Sequence, residues 1–584
     1  MGRVDNVAVA RALEDLADLQ ELSGIAVFKV RAFRGAARAI EGLSESIADL
    51  TKGNKLKDVR GVGEGVARRI KELLETGKIA EAEELREKLP PGLVDLMNLP
   101  GIGLKTAQQV WKELAITSVD ELEVAAKAGK LRDLPRFGQK REEKLVLAIE
   151  AWRKRAAAPK RRPMAEAMLA AEALVERVRA VPGVITCEFA GSLRRRAETI
   201  GDLDILVAAK LEDTASIMDA FAGAPQVVEV LGKGDTKTSV VLEGGMQADL
   251  RVIEPDAWGA AIQYFTGSKD HNVAMRTIAV KKKLKVSEYG VFDATGKKIA
   301  GETEASVYEA IGLRWIPPEL RENRGEIEAA IANTLPKLVE LDDLRGDLHM
   351  HTTETDGKSS LEQMAEAARA AGRAYVAITD HSETLTFVRG MGKERLRAQR
   401  KKIHEVEASL DGSIRLFAGL EADILTDGTL DVEDELLELE WVVGSVHTHF
   451  NMTREEMTKR VVKAIESGKM DCLGHPTGRQ LGWREPYAID MEAVLVAMKR
   501  VGVAIEMNCS PSRLDIDEHT ARMARDMGVP IVLNSDAHGV RELSHLRYGI
   551  GIARRAWLSA EHVLNTRTAS ELQEWRASRR TPSA

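Results

Sequence analysis

The chain is 584 residues long, 44% hydrophobic and 30% charged, with a formal net charge of -7; that length is too great for one hydrophobic core and, at about 150 residues per domain, suggests roughly four. No apolar run approaches a bilayer span, and the N-terminus MGRVDNVAVARALEDL carries acids where a signal peptide is apolar, so the expectation is a cytoplasmic protein with no membrane partner. Cys187, Cys472 and Cys509 lack CxxC spacing, which argues against a disulfide framework and a zinc ribbon, and the negative net charge leaves any DNA contact to local patches or backbone amides.

The first 150 residues read as helical. VRGVGEGVARRIKELLETGK (59–78) and LPGIGLKTAQQVWKEL (99–114) each run through a G-x-G pair into an amphipathic helix, and LPRFGQKREEKLVLAIE (134–150) is a degenerate third copy. Gly61, Gly63, Gly101 and Gly103 permit a tight turn that points backbone N–H groups at the helix start, where they can hold a phosphate without touching a base. One such turn is explained by helix capping; its repetition resembles the helix-hairpin-helix motif, a sequence-independent DNA-backbone clamp. WRKRAAAPKRRP (152–163) follows with six basic residues, two prolines and no acid. It reads as a linker or a loop near phosphate, and a second basic run is KKKLK (281–285); the bland reading of either is a solvated face.

ITCEFAGSLRRRAETIGDLDILVAAK (185–210) carries the first chemistry. Strand side chains alternate faces, so Asp202 and Asp204 point the same way about 7 Å apart, while the flanking ILV buries the other face. Asp249 in MQADLRVI offers a third carboxylate on a neighbouring strand. Three such carboxylates suit two magnesium or manganese ions clamping the oxygens of an in-line phosphoryl transfer.

AGSLRRRAETIGDLDILV, ADLRVI and YFTGSKDHNVAMR resemble, in order and spacing, the palm and nucleotide-binding segment of the family X, polymerase beta-like DNA polymerases, a resemblance covering about residues 1 to 325. It implies that Asp202, Asp204 and Asp249 hold two metals, with Asp249 helping to activate the primer 3′-hydroxyl. It also implies triphosphate contacts from Ser192 and Arg195 beside the Gly191 turn, and a wall against the sugar from Tyr264 and Phe265 next to Gly267. Asn272 and Arg276, four apart on one helix face, would reach the nascent base pair or template. Two positions depart from the family. Family members with 5′-deoxyribose-phosphate lyase activity carry a Schiff-base lysine where this chain has Arg69, whose guanidinium cannot form that imine; Lys71 lies roughly 200° away around the helix. Gln247 stands where vertebrate relatives have an arginine beside the third aspartate.

Beyond Pro317 and Pro318 the composition changes: eleven of the twelve histidines follow Arg345, and only His271 precedes it. Short apolar runs, GDLHMH, AYVAITDH, LFAGLEADI, WVVGSVH, MDCLGHP, GVAIEMN and PIVLNSDAH, alternate with helix-patterned segments such as SSLEQMAEAARAAG. Seven strand–helix units in a row argue for a β/α barrel, whose active site lies at the carboxyl ends of its strands. His349, His351, Asp356, His381, Glu421, His447, His475, Asp536 and His538 all fall at those ends. The pattern resembles the polymerase and histidinol phosphatase (PHP) domain, a distorted seven-stranded barrel; that resemblance implies three divalent metals, manganese or zinc, on these nine ligands and phosphoester hydrolysis. His449, two beyond His447, is read as an extra same-face histidine, peripheral to the cluster.

The expected fold is therefore multidomain: a helical helix-hairpin-helix region, an α+β nucleotidyltransferase palm with a thumb-like subdomain, and a distorted (β/α)7 barrel. The expected bounds are 1–85 (helical DNA-binding domain with a helix-hairpin-helix), 86–155 (fingers-like helical domain with a second helix-hairpin-helix), 156–256 (palm), 257–325 (thumb-like nucleotide- and template-contacting domain), 326–341 (linker) and 342–575 (PHP barrel). The expected function is a monomeric repair polymerase that takes dNTPs and gapped or primer–template DNA, with a manganese-dependent 3′-5′ exonuclease and, as further options, 3′-phosphatase or abasic-site endonuclease action. Its rivals are a repair nuclease whose palm only positions DNA and a non-catalytic end-binding scaffold.

Overall fold

The structure, a computed structural model, describes Arg161–Arg580 except residues 386–387, 433–437 and 482; of the first 160 residues it describes 27–41, 47–53, 55–59, 61–88 and 104–132 without a break, and scattered positions besides. Two compact units emerge, Met1–Pro159 and Lys160–Ala584.

The first unit consists of helices among its described residues, including Val27–Glu41, Ile47–Lys52, Glu64–Thr76, Ala80–Lys88, Leu104–Leu114 and Val119–Lys127. Glu64–Thr76 buries Val66, Ala67, Ile70 and Leu73, one apolar stripe at helical spacing. The turn before it matches the sequence reading: Gly61 has φ +88 and Gly63 caps the helix. Gly101, Gly103 and most of the basic run at 152–163 lie outside the described residues.

The second unit opens with helix Met164–Arg179 packed on a five-stranded sheet in the order Thr186–Phe189, Asp202–Ala208, Gln247–Ile253, Lys237–Leu242, Val227–Lys233. Asp202–Ala208 and Gln247–Ile253 run parallel with Asp204 in register with Asp249. Leu203, Ile205 and Val207 are fully buried against the helix layer, which turns the aspartates to the opposite face. Helices Trp258–Thr266 and Lys269–Lys281 and a three-stranded sheet, Lys285–Ser287, Gly290–Phe292 and Lys298–Ala300, complete this part.

From Gly346 onward seven parallel strands follow in chain order: Gly346–Asp347, Tyr375–Ile378, Arg415–Asp423, Trp441–Ser445, Cys472–Leu473, Ala504–Asn508 and Ile531–Asn534. A bridge between Met350 and Ala537 brings the first strand's exit beside the last one's, so the sheet closes on itself as a β/α barrel. Each strand coincides with one of the apolar runs read from the sequence. The crossovers differ in one place. Six strands are followed by a helix, but between Arg415–Asp423 and Trp441–Ser445 the described residues hold no α-helix; the chain doubles back through an Ile424–Leu430 bridge, its turn bonded by Asp427 to Thr429.

Barrel and palm share one apolar cluster that includes Met168 and Leu193 from the palm and Tyr548 and Ile552 from the barrel. Ion pairs surround this seam: Arg479 to Glu198 at 2.8 Å, Arg547 to Glu172 at 2.7 Å, and Arg554 to Glu319 at 2.8 Å. Apolar burial supplies the stabilisation here, while partly buried ion pairs mainly specify the docking geometry.

Candidate active sites

The palm seat begins with the Gly191 turn. Gly191 has φ +59, and a Cβ there would lie 2.5 Å from the Asp204 carboxylate. Only glycine lets the short helix Gly191–Arg194 lie against that carboxylate, and the Ala190 N–H donates to the Asp204 carbonyl at 2.7 Å. Asp202 is exposed and Asp204 and Asp249 are half-buried. Burial, with Asp202 and Asp249 nearby, pushes the Asp204 carboxyl up to about 6. Burial would raise Asp249 too, but hydrogen bonds from Lys237, Gln247 and Ser239 outweigh it and hold that group below the usual range. Lys237 Nζ lies 2.6 Å and Gln247 Nε2 3.0 Å from Asp249. The crowded negative charge, opposed at contact by one lysine, fits a divalent-cation seat. Gln247 thus keeps a hydrogen bond to the third aspartate without bringing a charge, and Lys237, from the preceding strand of the same hairpin, brings the charge; sequence reading missed that lysine because it did not use the hairpin register.

Around this seat the structure brings together most of the expected nucleotide-contacting groups. Tyr264 and Phe265 stack edge-on at 5.2 Å on Trp258–Thr266. Asn272 donates to the Tyr264 carbonyl at 2.7 Å and accepts from Gln263 at 2.8 Å, which ties the next helix to this one. Gly267, at φ +67, makes the corner between them, and Arg276 lies on the same helix as Asn272 with a buried Nε that has no partner among the described residues. Ser192 is half-buried in the Gly191 turn. Arg195 donates Nε to Glu322 at 2.9 Å and Nη1 to the Thr266 carbonyl at 2.6 Å.

The barrel brings all nine expected ligands together. Glu421 Oε1 lies 3.4 Å from His349, 3.3 Å from His447 and 3.0 Å from His475, and its Oε2 lies 3.6 Å from His351 and 2.8 Å from His381. Asp356 reaches His381 at 3.5 Å and His538 at 3.2 Å, and Asp536 reaches His351 at 3.2 Å. Most of these groups lie just past strand ends; Glu421 lies inside its strand, two residues from the end. Burial would lower His381 and His538, but Glu421 on the first and Asp356 on the second raise them to about 10 and about 9. Burial and the neighbouring His538 and His381 instead push His351 down to about 3, and burial and Arg513 push His475 to about 4. Among the described residues, His349 Nε2, both nitrogens of His351, His381 Nδ1 and His475 Nδ1 are buried without a hydrogen-bond partner. Buried imidazole nitrogens facing carboxylates are a donor set for divalent metals, and the groupings His351–Asp356–His381–His538, His349–His351–Glu421 and His381–Glu421–His447 each converge closely enough to hold one.

Behind the ligands stands a tier the sequence reading did not name. Glu506 Oε1 lies 2.7 Å from His349 Nδ1 and Asp423 lies 3.2 Å from His447 Nδ1, so each histidine turns Nε2 to the cluster. Asn508 donates to Asp536 at 3.0 Å. Strand parity could have found these: Asp423 is two past Glu421, and Asn508 two past Glu506. Parity misleads at His449, because the strand stops at Ser445 and His449 is exposed with φ +58; the same-face argument does not apply to it.

In the helical unit, Arg69 pairs with Glu72 at 3.0 Å and with Glu81, which also accepts from Gln20 at 2.7 Å.

Residues 4–79 match the helix-hairpin-helix domain, 93–151 the SAM-like helix-hairpin-helix tandem, 261–322 the DNA polymerase beta thumb and 347–510 the PHP domain. Asp536 and His538 lie beyond the matched PHP segment, and the fold returns them to the cluster. Over 233 residues, 38% of its length, the chain is 29% identical to a probable phosphatase of Thermoanaerobacter sp. (strain X514), covering 89% of it, and 30% identical to a probable phosphatase of Acetivibrio thermocellus, covering 90%. It is 36% identical over 569 residues, 97% of its own length and 98% of the relative's, to the DNA polymerase/3'-5' exonuclease PolX of Bacillus subtilis (strain 168). Likeness along nearly the whole of both chains, with hairpin, thumb and PHP matches in the same order, shows that the chain belongs to the family X DNA polymerases that carry a C-terminal PHP domain.

Proposed function

We propose that the chain is a gap-filling DNA repair polymerase whose barrel trims 3′ ends as a manganese-dependent 3′-5′ exonuclease. The observation that carries this reading is the coexistence, in one compact unit, of the Asp202–Asp204–Asp249 seat beside the groups expected to contact the nucleotide and the nine converging histidines and acids of the barrel. Two magnesium or manganese ions would sit on the palm aspartates, and three manganese or zinc ions on His349, His351, Asp356, His381, Glu421, His447, His475, Asp536 and His538. Bound there, such ions supply charge neutralisation at the phosphorus and a nucleophilic hydroxide for hydrolysis.

The chain's own residues do the rest. Asp249, held ionised by Lys237 and Gln247, orients the primer 3′-hydroxyl and accepts its proton. Ser192 and Arg195 bind the triphosphate, Tyr264 and Phe265 exclude a 2′-hydroxyl, and Asn272 and Arg276 face the new base pair. Glu506 and Asp423 hold His349 and His447 in the tautomer that presents Nε2. Gly61, Gly63, Gly101 and Gly103 would contribute backbone amides to DNA phosphates.

The test uses one labelled primer in a short-gapped duplex with manganese, with and without dNTPs. Asp204→Ala is expected to abolish extension and spare shortening, and His351→Ala to do the reverse. Shortening without extension in the wild type would hand the assignment to a nuclease whose palm only positions DNA. Because Arg69 stands in for a Schiff-base lysine and is paired to two glutamates, borohydride should trap little or no chain on an incised abasic site; efficient trapping refutes this.

A further inference from the structure

Among the contacts that join the nucleotide-binding corner of the palm to the barrel, Arg555 is the one that reaches Arg195. Arg555 ends the barrel helix Leu546–Arg555 with a side chain only 6% exposed. Its Nε and Nη2 grip Glu518 of the barrel. Its Nη1 donates to two groups outside the barrel: the Glu322 carboxylate at 2.8 Å and the Arg195 backbone carbonyl at 2.7 Å. Glu322 Oε1 is the same oxygen that accepts Arg195 Nε. Arg195 therefore has Nε and Nη1 anchored, by Glu322 and by the Thr266 carbonyl, while Nη2 has no partner among the described residues. Glu322 is in turn held by both arginines, which keep its carboxyl below the usual range against the opposing effect of burial.

An arginine that recognises phosphate through a planar fork works only if the fork is oriented before the ligand arrives. Glu322 provides that orientation, and a flexible glutamate gripped from one side alone would not. We propose that Arg555 of the barrel is a positioning residue for nucleotide binding in the palm: it fixes the Glu322 carboxylate that holds the Arg195 guanidinium with Nη2 left for a triphosphate oxygen. The proposal rests on the reading that Arg195 binds the triphosphate. It makes the barrel a structural part of the polymerase site as well as a second enzyme.

The experiment measures dNTP KM and kcat for extension of a gapped duplex by the full chain, with manganese-dependent shortening of a single-stranded primer as the barrel's own readout. Arg555→Met should raise dNTP KM about 5- to 10-fold, the scale of one hydrogen bond's ordinary net contribution, with kcat changed less than about 2-fold and shortening unaltered. Glu322→Gln should raise KM similarly, and the double variant should be no worse than the poorer single one, since both act through one carboxylate. An unchanged KM in Arg555→Met with normal shortening overturns the proposal, as does a double variant whose effects multiply. If Arg555→Met also loses shortening, the helix itself has been disturbed and Glu322→Gln decides: a raised KM supports the clamp, an unchanged one overturns it. Arg195→Ala separates the two layers. An unchanged KM there removes the triphosphate reading and the proposal with it, whereas a raised KM beside an unaffected Arg555→Met removes the proposal alone.

Discussion

The palm gathers three carboxylates on two parallel strands, one exposed and two half-buried, with Lys237 as the cation in contact. The barrel gathers three carboxylates with six imidazoles, of which only Asp356, His447 and His538 retain partial exposure. The contrast separates two ways of using a metal. An open, oxygen-only seat suits hard cations that arrive with the substrate's phosphates and leave with the product. A buried nitrogen-rich seat, backed by Glu506, Asp423 and Asn508, leaves its donors unsatisfied unless metals are resident.

That contrast can be broken in order of expected effect. Desalting after brief chelation should abolish extension in buffer without added metal, while the barrel keeps metal detectable by elemental analysis; equal loss from both sites would erase the distinction. Glu421→Gln, which alters the carboxylate shared by five histidines, should abolish shortening and leave extension near wild type in a paired primer assay. Glu506→Gln, one step behind the proposed ligands, should lower shortening about 10- to 100-fold and weaken metal retention; activity at the wild-type level would show that His349 needs no partner.

The smallest effect concerns the palm's stability. Asp204 is held at about 6 in the fold against 3.8 ordinarily, so the metal-free fold carries no penalty below pH 3.8, a growing one between 3.8 and about 6, and the full one above. Since the group keeps partial solvent contact, the penalty is about 1–3 kcal/mol. Asp204→Asn should then raise the metal-free Tm by a few degrees at pH 7 and not at pH 4, while abolishing extension; calorimetry showing no gain at pH 7 would mean that solvent already screens the aspartates.

Local signals carried much of the architecture. Short apolar runs, most of them carrying a histidine or acid at or near the end, marked all seven barrel strands, because a strand buried on both faces must be apolar along its length and its chemistry must wait for its end. That the described residues after Arg415–Asp423 hold no α-helix went unread, since the turn at Asp427–Thr429 looks like any other loop between regular elements. His271 shows the limit from another side: it is fully buried, bonded to Glu326 at 2.7 Å and Tyr308 at 2.9 Å, partners 55 and 37 residues away in sequence.

By itself the sequence marked out the order of the parts, the three aspartates of the palm and the nine histidines and acids that converge in the barrel, because metal chemistry restricts which side chains serve and strand geometry restricts their spacing. Tertiary structure alone decided which carboxylate supports which histidine, that Lys237 supplies the charge Gln247 lacks, and that Arg555 reaches Arg195 through Glu322. The first and last are contacts between residues far apart along the chain and the second depends on the register of one hairpin, so no local period records them; they exist only once the sheet has paired and the barrel has docked on the palm.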